Sequence, residues 1–560
     1  MESLRTTHAP ARARGEDDPD DRTGRHPPLP SPLPETDAAA KNRRRPARAQ
    51  HNGGMQSRTP PDFHNALRDQ FGLADAAVNP EVLATSVRRF RERGVVLPTF
   101  EQVTHPQAVP PDLVGDADPQ GADPRNLWRV HWYNDMAGNR VEVPAHVVLT
   151  RELTGIDSPI IVLLGNRFPM ITSHKVMAAF GCLAPRLVSG QFDPTRHRAI
   201  WPSTGNYARG GVAISRLMAC RGVAILPTGM SQERFDWLDR WCEDPSEDII
   251  RTVGTESNVK EIYDECNRLA RDPGNFIFNQ FAEFGNHLVH FQATGAALAH
   301  VFETYRESSG RDARLALMTS ATGSAGTIAA GEYLKDRYGT KVLAAEALEC
   351  PTLLENGFGE HNIQGIGDKH VPLIHNIMNH DLVAAISDRA TDRLEVMFNE
   401  PEGQAHLAGK GVPQHILDAL PDFGFSSICN VLAAISAAKV LGLDEDDVIM
   451  TVATDGGQMY PSERARILQR DFQGEFTRLD AAEVWGEHLA NVPTDATLEM
   501  TERDRNRIFN LGYYTWVEQQ GTPFELFERR RGQDFWRELR AYQPLWDEMI
   551  TDFNARVAAS

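Results

Sequence analysis

Cysteine is scarce in this chain and does not cluster: Cys182, Cys220, Cys242, Cys266, Cys350 and Cys429 are scattered, with no Cys-x-x-Cys among them. That excludes a dense disulfide framework and suits a reducing cytoplasm. Long apolar runs are also missing; none approaches a membrane span, and the N-terminal stretch has no secretory hydrophobic region, so the expectation is a cytoplasmic protein without a membrane partner. Positive charge is in deficit, with 58 Lys and Arg against 77 Asp and Glu, a net charge of -19. A nucleic-acid backbone would be repelled. His370, His375 and His380 recur every five residues, which does not align them on one helix face, so no metal is expected.

What is present, in 560 residues of 41% hydrophobic content, is enough for more than one cored domain. The most informative stretch is Ser320 to Ile328, where small residues separate the apolar run Leu315–Met318 from a helix-like run, Ile328 to Arg337. Small residues let backbone N–H groups approach an anion, Ser324 and Thr327 add hydroxyls, and a helix N-terminus adds its dipole. The loop therefore reads as a phosphate cradle. It lacks a Gly-Lys-Ser/Thr ending and the Gly-x-Gly-x-x-Gly spacing, which disfavours a nucleoside triphosphate or a dinucleotide.

Three further segments have the same layout. Ser173-His174-Lys175 follows the strand-like Ile160–Leu164 and opens a helix-prone stretch; Pro202 to Asn206 precedes a helical Gly211–Leu217; and the β-branched Val448–Val452 ends in Ala453-Thr454-Asp455-Gly456-Gly457. In open α/β sheets ligands lie beyond the carboxyl ends of strands, so all four loops can meet in one crevice.

Taken together these residues resemble the pyridoxal-phosphate enzymes of the cysteine synthase and cystathionine β-synthase family. Its Ser-x-Lys, Thr-Ser-Gly-Asn and Gly-Thr-Gly-Gly-Thr motifs correspond in order and spacing to Ser173-His174-Lys175, Ser203-Thr204-Gly205-Asn206 and Gly323-Ser324-Ala325-Gly326-Thr327. Asn279-Gln280-Phe281, Ala293-Thr294-Gly295, Glu346, Cys350-Pro351, Ile363-Gln364-Gly365-Ile366-Gly367 and Gly424-Phe425-Ser426-Ser427 extend the similarity over roughly residues 140 to 465. It implies an α/β fold of two three-layer αβα subdomains with mostly parallel twisted sheets, fold type II of the pyridoxal-phosphate enzymes, here with a mainly helical C-terminal extension.

The resemblance also implies roles. Lys175 would hold pyridoxal 5'-phosphate as a Schiff base and then move the substrate's α-proton. Asn206 would bond the cofactor ring hydroxyl, and Gly323, Ser324, Ala325, Gly326 and Thr327 would hold its phosphate. Ser203, Thr204 and Gly205 would take the substrate carboxylate, with Gln280 beside them. Either Thr454 or Asp455 could face the pyridine nitrogen, because strand residues alternate faces; the resemblance favours Thr454. A neutral hydroxyl there favours prompt loss of a β-leaving group. The implied reaction forms an aminoacrylate from a β-substituted L-amino acid of the O-acetylserine, phosphoserine, serine or cysteine type, followed by β-replacement or β-elimination in a homodimer. The alternatives are a serine- or threonine-type ammonia-lyase on the same fold, and a non-catalytic scaffold, which has no need of a lysine at that strand end.

Departures from the family pattern bear on the substrate. Val176 and Met177 follow the lysine in place of Asp-Arg; Phe168 to Thr172 replace glycines, which predicts a bulkier and more apolar pocket wall; and Asp368-Lys369-His370 places charge near the substrate mouth. Asp368 is therefore expected at the substrate, and a charged second substrate or leaving group is expected in place of bare sulfide. Around this core, residues 146–465 with a smaller subdomain at about 180–295, residues 1–54 have a composition of disorder, with Met55 as a possible start. Residues 55–145 read as a helix and hairpin cap turning at Ala137-Gly138-Asn139, and residues 466–560 as helices, with Glu502–Phe509 and Gln533–Tyr542 the clearest.

Overall fold

The computed structural model describes residues 61–559 apart from 111–112 and 256. The segment 1–54 and Met55 lie outside the described residues. Five consecutive branched or long apolar residues make β2 (Ile160–Leu164) buried on both faces, the signature of an interior parallel strand. It belongs to a seven-stranded sheet ordered β1-β2-β10-β7-β8-β9-β11, built from β1 (His146–Leu149), β2, β7 (Arg314–Ala321), β8 (Lys341–Ala347), β9 (Leu382–Ile386), β10 (Asp447–Ala453) and β11 (Thr497–Glu499). The edges β1 and β11 run antiparallel to their neighbours and the other pairings are parallel. A second sheet, β5-β4-β3-β6, is wholly parallel and comprises β3 (Arg198–Pro202), β4 (Arg221–Pro227), β5 (Ile249–Thr252) and β6 (Asn275–Ile277).

Helices cover both sheets. Phe425–Leu441 is apolar around nearly its whole circumference and accordingly lies buried against β7 to β10. Lys175–Val188 and Asn206–Leu217 pack against each other, both buried over almost their full length, the second lying on β3 and β4 of the small sheet. Gly210 lets them close up, since a Cβ there would meet Lys175 O, and Gly211 lets the second helix close on β3, since a Cβ there would meet the Trp201 ring, which stacks on Phe278 with centroids 4.5 Å apart.

The terminal segments share this core. Asn79 caps the helix Pro80–Arg93 and Gly94 ends it in the left-handed region. That helix lies along the last one, Tyr542–Ala558: Phe90 meets Phe553 edge-on at 5.1 Å, Arg91 Nε donates to Val557 O, and Leu97 N to Asn554 Oδ1. One expectation is corrected. The hairpin at Ala137–Asn139 shrinks to a single bridge, Asn134 to Arg140, because the Asp135 carboxylate takes the N–H groups of Ala137 and Asn139 and the Asn134 amide turns back to Arg129 O and His131 O. The C-terminal region is mainly helical, as expected, and also supplies β11 to the sheet edge; the helix Glu502–Tyr513 continues as a π-turn over Tyr514–Gln519, and the Gln533–Tyr542 pattern divides into Gln533–Leu539 and Tyr542–Ala558. No described helix is long and apolar enough to cross a membrane.

One buried ion pair ties the N-terminal segment to the helix Lys175–Val188. Arg186 and Glu283 meet at 2.5 Å, 1% and 2% exposed, and the same guanidinium donates to Asp69 O and Gln70 O. Removing one partner of such a pair strands the other charge, at a cost of about 3–5 kcal/mol. Arg186→Met should therefore lower the urea midpoint markedly, whereas Arg186→Met with Glu283→Leu should recover most of the loss; an unchanged midpoint in the single variant would show that the carboxylate is not held by this arginine.

Candidate active site

Three neighbouring strands of the large sheet, β2, β10 and β7, end at the same level, and the small sheet adds the ends of β3 and β6. Beyond these carboxyl ends lies one cavity lined by Lys175, Ser203, Thr204, Asn206, Tyr207, Gln280, Gly323, Ser324, Gln364, Gly365, Asp368 and Thr454. Pairing of β10 with β7 stops at Met450 and Met318, although both strands run three residues further. The strands part there, and the Asn430 amide spans the gap, accepting from Ala321 N and donating to Val452 O. The parting opens the crevice.

Lys175 is the first residue of its helix, half-buried at the cavity wall. The approach to it is strained: Met170 and Thr172 have φ of 69° and 49°, conformations that cost side-chain-bearing residues energy and persist only when their surroundings hold them. Here Gln120 accepts from Met170 N, Trp237 Nε1 donates to Met170 O, and Arg209 donates to Ile171 O. The bulky residues do not wall the pocket as expected. Phe168, Met170 and Ile171 are buried in the core, with Phe168 edge-on to Trp132 at 5.1 Å, and none lines the cavity.

Burial holds the Lys175 ammonium down to about 8, although Asp368, Cys182 and Asp455 pull the other way. Burial likewise pushes the Asp368 carboxyl up to about 7 against the opposing pull of Lys175, and its Oδ1 has no hydrogen-bond partner. His174 and His290, buried behind the lysine, are kept far below the usual histidine range by burial first, and then by each neighbouring positive charge.

The loop Gly323 to Thr327 carries the anion chemistry. The amides of Gly323, Ser324, Ala325 and Thr327 make no backbone hydrogen bond among the described residues. The Asn286 amide donates to Ser324 Oγ, as does Gly326 N, so the Ser324 hydroxyl proton remains for another acceptor. Gly326 is required because a Cβ would strike Asn286 Oδ1, and Ala325 takes a φ of 61°. Of the loop, Gly323 and Ser324 line the cavity; Ala325, Gly326 and Thr327 do not, nor does Gly205.

Asn206 is locked in orientation: its Nδ2 donates to Asp455 Oδ2 at 2.6 Å and its Oδ1 accepts from Arg209. Asp455 also accepts from Tyr460 OH and pairs with Arg234 at 3.7 Å. It therefore faces away from the cavity, and Thr454 is the residue of the pair that lines it. Sequence reasoning missed Tyr207, Gln364 and Gly365 as lining residues, although Gln364-Gly365 lay within a motif already singled out, and missed Arg209 and Arg234 altogether. His370 and His380 are not close partners: His380 Nδ1 meets His375 Nε2 at 3.2 Å, and His370 Nε2 meets Tyr263 OH at 3.4 Å. All six cysteines are free and buried.

The lining converges to leave about 20 Å³, room for a water-sized body. A ring-sized cofactor thus enters only as the lining spreads, but the donor set fits one: a depressed amine, unpaired amides with a hydroxyl for a phosphate, an oriented amide, and a hydroxyl at a strand end.

Comparison with known proteins bears out the resemblance. The chain is 27% identical over 261 residues, 45% of its length and 76% of the relative's, to the cysteine synthase B of Campylobacter jejuni. Among solved structures it is similar to a cysteine synthase of Entamoeba histolytica (22% identity, TM-score 0.48, 62% of this chain and 94% of that one) and to an O-acetylserine-dependent cystathionine β-synthase from Helicobacter pylori (18%, 0.46, 57% and 95%). No protein-family model matches.

The electrostatics carry a pH dependence. A lysine whose amine is depressed is reactive in proportion to its neutral fraction, so acylation of Lys175 by a small amine-selective reagent should rise with pH through a midpoint near 8 and level off above it. Since Asp368 favours the ammonium, Asp368→Asn should move that midpoint below 8; peptide mapping across a pH series reads it, and a midpoint that rises or stays put would remove Asp368 from the lysine's surroundings.

Proposed function

We propose that this chain is a pyridoxal-phosphate-dependent enzyme of the cysteine synthase type, which removes the β-substituent of a β-substituted L-amino acid and completes the reaction by β-replacement or β-elimination. The observation that carries this reading is the convergence of the Lys175 amine, Gly323 and Ser324 of the small-residue loop, the Asn206 amide and the Thr454 hydroxyl on one cavity at the strand ends. A scaffold gains nothing from a buried amine held to about 8.

Lys175 is the residue to bind the cofactor's aldehyde, and its near-neutral amine then takes and returns the proton at the substrate α-carbon. When bound, the cofactor supplies the electron sink for that step. Ser324 and the loop amides hold the phosphate, Asn206 the ring hydroxyl, and Thr454 the ring nitrogen. Ser203, Thr204 and Gln280 bind the substrate carboxylate, with Gly205, whose N–H donates to Ser203 Oγ, shaping the loop behind them. Asp368, whose carboxyl burial pushes up to about 7, is suited to protonate an oxygen leaving group or to take a proton from an incoming nucleophile.

Beside Asp368, Lys369 and His370 border a second, larger cavity of about 640 Å³, which also touches Thr515, Gln519 and Gln520 of the C-terminal region. Its size and charge support a second substrate larger than sulfide. The substrate is a small amino acid, and the family's usual homodimer in a reducing cytoplasm is the expected setting.

The test is the absorption spectrum of purified protein with Lys175→Ala alongside, titrated with O-acetylserine, phosphoserine, serine and cysteine. A band near about 410 nm that is absent in the variant and shifts with one substrate is expected, with turnover in the variant down by about 10²–10⁴-fold. No band after adding pyridoxal phosphate would sink the enzyme reading.

A further inference from the structure

Behind Thr454 lies a run of buried polar side chains that the reaction as described does not use. His174 Nε2 stands 3.3 Å from Thr454 Oγ1. The His174 ring is fully buried, wedged between Trp132 at 5.4 Å, Phe168 at 6.4 Å and, edge-to-face, His290 at 5.1 Å. His290 Nδ1 is 2.9 Å from Thr294 Oγ1, and the same oxygen accepts from Trp132 Nε1 at 2.9 Å. Gly165 completes the fit, since a Cβ there would press on Ala453 O, Thr454 O and His174 Cδ2.

The proton positions in this run follow from donor and acceptor counting. An indole N–H can only donate, so Thr294 Oγ1 accepts from Trp132; His290 Nε2 has no partner, so the His290 proton sits on Nδ1 and is donated to the second lone pair of the same oxygen. His290 is then neutral, and no proton reaches His174 from that side. His174 Nδ1 has no partner. A buried N–H without an acceptor is costlier than a bare lone pair, and the neighbouring Lys175 disfavours an imidazolium, so the His174 proton sits on Nε2.

We propose that His174 is a positioning residue: by donating its Nε2–H to Thr454 Oγ1 it occupies one lone pair of that oxygen and biases the Thr454 hydroxyl toward donating its proton into the cavity. This rests on the reading that Thr454 meets the cofactor's ring nitrogen. A hydroxyl biased toward donating supports an unprotonated nitrogen, whereas a freely rotating one would equally accept from a protonated nitrogen. Trp132, from the segment preceding the catalytic sheets, backs the histidine, so that segment takes part in setting the character of the site.

Two measurements test this, one before cofactor is added. In ¹⁵N-histidine-labelled protein without cofactor, the His174 signal, assigned by its loss in His174→Gln, should report a neutral ring protonated at Nε2; protonation at Nδ1 overturns the proposal. In cofactor-loaded protein, His174→Leu should raise the pH at which the bound cofactor's absorption titrates by about one unit, whereas His174→Gln, which keeps an N–H near the same place, should titrate like the parent. His174→Leu titrating like the parent overturns the proposal. Should His174→Leu fail to fold, the nitrogen spectrum of the parent still decides; should the parent bind no cofactor, the enzyme reading falls while the tautomer remains measurable.

Discussion

The site depends on keeping one amine, that of Lys175, where water solvates its charge poorly. Burial alone would drive that amine further toward neutrality; Asp368 offsets part of the effect, and in turn carries a carboxyl that burial has raised. Each group is therefore balanced near neutral pH by the same two opposing forces, desolvation and the partner's charge. Such a balance requires a rigid setting, because a small displacement toward solvent would restore both groups to their ordinary behaviour. The rest of the architecture can be understood as the means by which that displacement is prevented.

Rigidity comes from a polar layer beneath the cavity as much as from the apolar core. Asp455 gathers the Asn206 amide, the Tyr460 hydroxyl and the Arg234 guanidinium, while Arg234 also donates to Gln364 on the opposite wall. Arg209 bonds Asn206 and the strained loop before Lys175, and lies over the Trp237 ring at 5.1 Å. Buried charges of this kind contribute little net stability and can cost some. What they supply is geometry: the loops after β2, β3 and β10 and the Gln364 wall are tied to each other directly, without relying on the sheets alone.

The parts of this arrangement legible in the sequence were those with local causes. A strand followed by small residues and a helix can be read from composition and periodicity, and the register of Lys175, Asn206, the 323–327 loop and Thr454 along the chain sufficed to bring them together. What could not be read were contacts made across long separations. Phe168 to Thr172 suggested a bulky pocket wall, yet those side chains satisfy the core around Trp132 and Trp237 while the backbone adopts conformations usual for glycine. The choice between Thr454 and Asp455 was likewise open until Arg234 and Asn206, each far in sequence from Asp455, gave the carboxylate a reason to turn away. Asp135 undid the hairpin by a side-chain bond that propensity does not anticipate.

The terminal segments are best understood in the same terms. Phe100 packs on both Phe180, in the helix that Lys175 begins, and Trp546, in the last helix, and Trp546 Nε1 reaches Ala74 O. On the other side, the π-turn after Tyr513 delivers Trp516 so that its N–H meets Val371 O, three residues beyond Asp368. Local departures of this kind in a helix cost hydrogen-bond geometry and recur where a side chain must be aimed. The two groups whose charges are balanced in the cavity are thus each braced from outside the catalytic sheets, Lys175 through its helix and Asp368 through the loop that follows it. A shorter chain with the same motifs would keep the chemistry-bearing residues but would lack this second set of supports, and its lysine and aspartate would be held by the strand ends alone.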